Sequence, residues 1–213
     1  MDADNALSCR SDRSTRFSPM SAREPQRPSD ARLMEAIAAG SHEAFGRLVD
    51  RHHQRALDFA YRFLGDRDEA KDAVQEAFLS ILGAADRYRP ASRFTTYLLA
   101  VVRNAALQRV RSRRRRREEP LEELAMDRPE GSIPATGRDP ERDLERAELR
   151  DLLAGAIAAL PPEIREVFLF NEMHGLRYRE IAEICGCPIG TVASRKHEAV
   201  KRLRARLGAR GRL

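Results

Sequence analysis

The residues best suited to chemistry in this sequence are hydrogen-bond donors grouped near the end of the chain. Residues 189–207 have apolar side chains at helical spacing, with polar and basic side chains between them. A helix fits the major groove of DNA, where such side chains donate to base edges and phosphates. The predicted contacts of this reading helix are Thr191, Ser194, Arg195, His197, Lys201 and Arg202. An ordinary solvated basic helix is the alternative that the pattern alone leaves open.

A second group mixes aromatic with basic residues over 88–104. Aromatic rings stack on unpaired bases while basic groups bind the phosphates, so this composition indicates a surface for single-stranded nucleic acid. The candidate residues are Tyr88, Arg89, Arg93, Phe94, Tyr97, Arg103 and Asn104. Phe94 and Tyr97 also lie at core spacing, and burial is at least as good an interpretation for these two.

Six arginines occur among the seven residues 111–117. The run ends a predicted helix, where positive charge also stabilises the negative end of the helix dipole. So many like charges repel one another that this cannot be the whole reason. A phosphate-contacting patch that includes Arg113 and Arg114 is the preferred interpretation.

Composition agrees with a polyanionic partner. The chain has 39 Lys and Arg against 33 Asp and Glu, a formal net charge of +6. The longest aliphatic run, residues 98–102, is far too short to span a bilayer, so no membrane insertion is predicted. The three cysteines Cys9, Cys185 and Cys187 are too few to stabilise a fold by disulfide bonds. This agrees with a reducing environment, so a cytoplasmic location is expected.

Catalytic groups are not evident. His52 and His53 are adjacent, so they point in different directions on a helix, and we expect them at the surface or at its boundary. Cys185 and Cys187 lack the second ligand pair of a zinc site and are interpreted as turn and core residues. There is no glycine-rich phosphate loop. The sequence therefore predicts no catalytic site, no metal and no cofactor.

Helical periodicity predicts the elements that position these groups. Apolar residues that recur at steps of three and four predict a first helix over 41–64. They predict a second helix that begins after a cap at Asp66 and a third that begins at Phe94. Glu69 is expected to complete a capping box with Asp66. Further on, one helix is expected to end at Pro161 and to bear the apolar residues Leu144, Leu149, Leu152, Leu153, Ile157 and Leu160. Two later helices, separated by a break at 186–188, form a helix-turn-helix pattern.

These elements predict an all-α protein with two small helical domains and a flexible acidic linker. The expected division is a disordered tail (1–28), a helical domain (29–117), the linker (118–138) and a helix-turn-helix domain (139–213). Residues 118–151 hold 12 acidic and 5 basic residues, a local balance of −7. A solvated linker is the simpler interpretation, and an acidic strand lying in a basic channel of a partner is the other.

Two stretches resemble a known family. Residues 41–117, with FLGDRDEAKDAVQEAFL and FTTYLLAVVRNAAL, resemble region 2 of sigma factors of the extracytoplasmic-function (ECF) group. Residues 157–207, with ALPP, EIAEI and GTVASR, resemble region 4 of the same group. Together they cover about three fifths of the chain, in the family's order.

The resemblance implies a promoter-specificity subunit of RNA polymerase without a catalytic site of its own. Asp72, Gln75 and Glu76 would contact core polymerase. Residues 88–104, with Arg113 and Arg114, would hold the melted -10 element, and the reading helix would bind the -35 element as duplex. Control by a separate anti-sigma factor is also expected from the family.

Some positions depart from the family pattern. Tyr97 stands where Trp is usual, Ala193 where a basic residue is usual, and Glu198 where Arg is common. The reading helix therefore has fewer positive charges, which should weaken its attraction for phosphates or change the bases that it prefers. A free-standing helix-turn-helix regulator remains the main alternative, and a sigma-like protein that sequesters its partner is a third.

Overall fold

The computed structural model describes residues 28–89, 93–118 and 140–208. Within these ranges the secondary structure is entirely helical, which confirms the predicted fold class. The helices are α1 (Asp30–Ala38), α2 (His42–Leu64), α3 (Arg67–Gly83), α4 (Phe94–Glu118), α5 (Pro140–Ala158), α6 (Pro162–Phe168), α7 (Tyr178–Cys185) and α8 (Ile189–Gly208). A 3-10 turn (Ala85–Arg87) follows α3, and a π-helical turn (Leu169–Met173) follows α6. Nearly all of the predicted tail and linker lies outside the described residues.

Helices α1–α4 form the first bundle, and local capping sets their boundaries. The Ser41 hydroxyl accepts from the amide of Ala44 at 3.2 Å, and Gly65 ends α2 with a φ of 73°. Asp66 caps α3 by accepting from the amide of Glu69 at 2.9 Å, as predicted. The other half of the predicted capping box is wrong, because the Glu69 carboxylate accepts from Arg113 Nε at 2.7 Å instead.

Helix α1 was not predicted, because nine residues give too short a pattern. It buries Leu33, Met34 and Ile37 against the bundle. Its first residue, Asp30, also corrects an expectation. His52 is only 6% exposed, and its Nε2 lies 3.0 Å from Asp30 Oδ2, so this histidine is a core residue with an acidic neighbour.

Helices α5–α8 form the second bundle. Ile157 and Leu160 are buried as expected, and Pro162 begins α6. The apolar stripe predicted for α5 is wrong at two positions, because Leu149 is 55% exposed and Leu153 is 39% exposed. Both lie on the same side of α5 as the buried Ala156 and Ile157, but nearer to the start of the helix, so this side is covered by other helices only towards its end. The side chain of Leu144 lies outside the described residues.

The predicted helix-turn-helix is confirmed as α7 and α8. Gly186 joins them with a φ of 63°, a left-handed conformation that side chains with a Cβ rarely adopt. Arg177 occupies the cap position of α7, where its guanidinium has no acceptor to offer. Glu180 compensates by accepting from the amide of Arg177 at 2.8 Å. The pair is therefore held at both ends despite the missing Ser or Thr cap.

The two bundles pack against each other. Helix α2 contacts α5, α6 and the π-helical turn, while α4 contacts α7. At the centre of this contact the rings of Phe59 and Phe170 stack nearly parallel, with centroids 4.6 Å apart. Nothing in the sequence pattern predicts this docking, because each bundle has its own helical periodicity.

Candidate nucleic-acid interface

Helix α8 presents the predicted reading face to solvent over most of its length. It packs inward through Val192, Ala199 and Leu203, all of which are buried. That orientation leaves the opposite side chains outward. Ser194, His197, Lys201 and Arg202 are exposed, and Thr191 is half-buried. The Ser194 hydroxyl donates to the carbonyl of Thr191 at 3.0 Å and keeps its lone pairs for other donors.

Arg195 differs from the other predicted residues of α8. Its side chain is 29% exposed and turns towards the interior of its own bundle. The Nη1 atom lies 4.0 Å from Cys187 Sγ and 4.0 Å from an oxygen of Glu166. In this conformation Arg195 is therefore partly withdrawn from the face that Lys201 and Arg202 share.

Glu198 lies in the middle of the outward face of α8. Its carboxylate accepts from Arg202 Nε at 2.7 Å, one helical turn away. The hydrogen bond from Arg202 lowers the pKa of Glu198, so the carboxylate is charged at neutral pH. A glutamate at this place both neutralises a neighbouring arginine and adds an acceptor to a face that otherwise donates.

The predicted stacking residues form an aromatic cluster before and within α4. The ring centroids of Tyr88 and Tyr97 lie 5.2 Å apart, and Phe94 lies 6.2 Å from each of them. Phe94 is only 4% exposed and also contacts His52, so burial describes it better than an open stacking face. Tyr88 and Tyr97 are half-buried. Burial, and then the charges of Asp30 and Tyr97, raises the pKa of Tyr88.

The basic residues beside this cluster divide into exposed and engaged ones. Arg93 and Asn104 are exposed, as is Arg89, whose guanidinium donates to the carbonyl of Tyr88 at 3.0 Å. Arg103 is engaged across the two bundles. Its Nε and Nη2 donate to the two carboxylate oxygens of Glu166 at 2.7 and 3.0 Å.

Glu166 is the residue at this site that sequence reasoning missed. Its side chain is 1% exposed, and Arg103 is the cation that binds it directly. Burial alone would lower the pKa of Arg103, but the hydrogen bonds and charge of Glu166 outweigh this effect and raise it. The sequence gives only a weak indication that Glu166 is buried, which is its position one helical turn before the apolar Phe170.

The arginine run at the end of α4 also has two kinds of member. Arg113 is held by Glu69, by Asp66 at 3.6 Å and by the carbonyl of Leu64 at 3.2 Å. This set of contacts joins α4 to the junction between α2 and α3. Arg111, Arg114, Arg115 and Arg116 are exposed on the same helix end. Arg113 therefore has a structural role, and the phosphate contact predicted for this run stays a prediction.

The predicted polymerase-binding residues share the outer face of α3. Asp72, Gln75 and Glu76 are all exposed. Glu76 accepts from Arg109 Nη1 at 2.8 Å. Leu79, one turn beyond Gln75, is 57% exposed and completes this outer α3 face. It was missed as a candidate although its spacing from Asp72 and Gln75 would have indicated it.

The acidic, histidine and cysteine side chains of the described residues do not gather into a metal-binding cluster. No group of three or more His, Cys, Asp or Glu side chains comes together there as metal ligands would. Cys185 and Cys187 are free thiols, and burial raises the pKa of Cys185 to about 12. No described helix has the length and apolarity needed to cross a membrane.

Comparison with known proteins adds two family matches. Residues 48–116 match the family "Sigma-70 region 2", and residues 150–203 match "Sigma-70, region 4". The RNA polymerase sigma-H factor of Pseudomonas aeruginosa is 33% identical over 172 residues, covering 78% of this chain and 87% of that protein. The ECF RNA polymerase sigma-E factor of Escherichia coli is 32% identical over 169 residues, covering 78% and 88%.

Solved structures give the same fold. CnrH, in complex with the cytosolic domain of CnrY, aligns with a TM-score of 0.61 and 25% identity, covering 85% of this chain and 99% of CnrH. The sigma factor RpoE of Bartonella quintana, in complex with the anti-sigma factor NepR, aligns with a TM-score of 0.61 and 24% identity, covering 77% and 96%. With both regions matched in order, this chain belongs to the ECF group of sigma-70 factors, the subunits that direct RNA polymerase to promoters.

Proposed function

We propose that this protein binds core RNA polymerase through the outer α3 face and divides promoter recognition between its two bundles. The observation that carries the proposal is the placement of the polar side chains of α8. Val192, Ala199 and Leu203 bury one side of the helix, so Ser194 and Lys201 lie together on the other. A helix-turn-helix with that face free fits duplex DNA in the major groove, which would be the -35 element.

The first bundle would hold the -10 element as a single strand. Half-buried Tyr88 and Tyr97 lie beside the exposed Arg89, Arg93 and Asn104, which combines stacking surface with phosphate contacts. The exposed arginines at the end of α4 would extend this basic surface along the sugar-phosphate backbone of the DNA. Because these contacts serve binding and not bond-making, the polymerase supplies the chemistry and this chain needs no catalytic residue or cofactor.

The outer α3 face is proposed as the polymerase contact because it combines an exposed leucine with acidic and amide groups. An apolar side chain ringed by polar groups is typical of a protein interface. Glu76→Ala should weaken binding to core polymerase. Glu43→Ala is the matched control, because Glu43 is also exposed and also pairs with an arginine, Arg47 at 2.7 Å. Equal affinity of the two variants would contradict this assignment.

The central experiment is run-off transcription with core polymerase and the full chain on a library of promoter fragments. Initiation at a subset of fragments is expected, and its sequences would define the two elements. Lys201→Ala should lower initiation, while Arg206→Ala removes one charge from the same helix outside the proposed reading face and should change it little. If core is never recruited but the protein alone retains specific duplexes, the free-standing regulator is the better account.

Regulation by a separate anti-sigma factor is part of the proposal. Its support is that two proteins of the same fold were solved in complexes, one of which is named as an anti-sigma complex. The protein would then be held inactive in the cytoplasm until a signal releases it. If the chain purified from its host were always free of a partner and constitutively active, this part would fail.

A further inference from the structure

The contact between the two bundles converges on one buried carboxylate. Glu166 in α6 receives two hydrogen bonds from Arg103 in α4, at 2.7 and 3.0 Å. Arg195 in α8 lies 4.0 Å from the same carboxylate. The sequence predicts that Arg103 contacts the -10 element and that Arg195 contacts the -35 element. The buried Glu166 carboxylate therefore lies between two arginines, one from each bundle, that are both predicted to contact DNA.

The geometry of the Arg103–Glu166 pair is the one that arginine uses with phosphate. Two parallel N–H donors meet two oxygens of a planar anion, and the same fork binds a phosphate group. Glu166 thus occupies the position that a DNA phosphate would take on Arg103. The side chain cannot serve both partners at once.

Further contacts make the closed arrangement specific. Phe59 of α2 stacks on Phe170 at 4.6 Å. Arg165 of α6 donates to the carbonyl of Phe63 and places its guanidinium 5.8 Å from the Phe63 ring. On α4, the Thr96 hydroxyl contacts a carboxylate oxygen of Glu180 at 3.3 Å.

The second bundle covers part of the proposed single-strand surface. Thr96 and Arg103 belong to α4, two turns apart, and both contact the second bundle. Tyr97 and Asn104 follow them directly in sequence. A DNA strand running along this part of α4 would meet α6 and α7 before it reached Arg103.

We propose that the free protein is closed by its own second bundle, and that the Arg103–Glu166 pair is the latch that keeps Arg103 and the part of the single-strand surface beside it covered. This inference rests on the proposed function of α4. Separation of the bundles would expose the surface and leave Glu166 with Arg195, the nearest cation of its own bundle. The carboxylate then still has a cation nearby in the open form, which lowers the free-energy cost of opening.

The conformational test is small-angle X-ray scattering of the full chain without polymerase. Glu166→Gln and Arg103→Gln each remove one partner, and each should increase the radius of gyration and the maximum dimension. The double variant should open no further than either single variant, because both act on one pair. Glu172→Gln is the matched control, since Glu172 pairs with Lys196 at 2.5 Å entirely within the second bundle, and it should scatter like the unmodified chain. Unchanged scattering in both latch variants would overturn the proposal.

The functional test uses fluorescent single-stranded DNA of random sequence as the probe. Glu166→Gln should bind it more tightly than the unmodified chain, by tenfold or more if the closed form is dominant, because the fraction of open protein limits the apparent affinity. Glu172→Gln should bind like the unmodified chain. An open Glu166→Gln variant with unchanged affinity would refute the covering of α4. Run-off transcription by the unmodified chain tests the proposed function separately, since core polymerase can capture the open form.

Discussion

His174 should make the stability of this protein sensitive to mild acid. It follows the π-helical turn of the second bundle and packs edge-on against Phe59 of the first, with ring centroids 5.8 Å apart. Its Nε2 is buried without a hydrogen-bond partner among the described residues. Burial, reinforced by the positive charges of Arg55 and Arg62 and opposed by Asp58, lowers the pKa of His174 to about 4.

The sign and size of the effect follow from proton linkage. The unfolded chain binds a proton at this histidine near its ordinary pKa of about 6.5, well before the folded chain does. Stability contributed by neutral His174 is complete above that pKa and is lost as the pH falls towards about 4. Between about pH 8 and about pH 5 the free energy of unfolding should drop by about 2 kcal/mol from this group.

Urea unfolding at the two pH values measures the drop, and His174→Gln isolates it. The variant keeps a polar side chain at the site but cannot titrate, so its stability should vary less with pH by about 2 kcal/mol. His53→Gln is the control, because His53 is exposed, and it should retain the full dependence. If His174→Gln and the unmodified chain lost equal stability on acidification, the burial argument would be refuted.

Three other substitutions test single contacts. Arg113→Ala should lower the free energy of unfolding by about 1–3 kcal/mol, because it leaves Glu69 and the Leu64 carbonyl without this partner. Arg111→Ala, at an exposed position, is the control and should lower it little, as measured by denaturant titration of both variants. Gly186→Ala should cost about 1–2 kcal/mol by the same assay, from the left-handed backbone alone, since no atom lies within 4 Å of the added Cβ. Glu198→Gln should tighten non-specific duplex binding at low salt and steepen its salt dependence, because Arg202 becomes available to phosphate; an unchanged salt slope would contradict that role.

Much of the fold could be predicted because local rules decide it. The caps at Ser41 and Asp66, the proline stop before α6 and the turn at Gly186 each depend on residues within a few positions of one another. Helix periodicity then placed Val192 and Leu203 inward on α8, and this fixed the outward face as well. Those are short-range relations that a sequence displays directly.

The failures share a different cause, which is contact between residues distant in sequence. His52 is buried because Asp30 lies against it, 22 positions earlier, and Glu69 leaves the capping box because Arg113 reaches it from another helix. Leu149 and Leu153 are exposed because other helices cover only the end of this side of α5, at Ala156 and Ile157. No periodic pattern contains this information.

The arginines that the sequence predicts to bind DNA differ in the free energy needed to release them from their partners in this structure. Arg202 pairs with Glu198 on an exposed helix surface, and such pairs contribute about 0–1 kcal/mol, so phosphate can displace the carboxylate easily. Arg113 is bound by two acids and a backbone carbonyl that stay in the same bundle, and releasing it would disturb the fold. Arg103 lies between these cases, because its partner Glu166 belongs to the other bundle and leaves when the bundles separate. A count of positive charges treats the three as equal, yet only Arg103 has an availability that depends on the conformation of the whole chain.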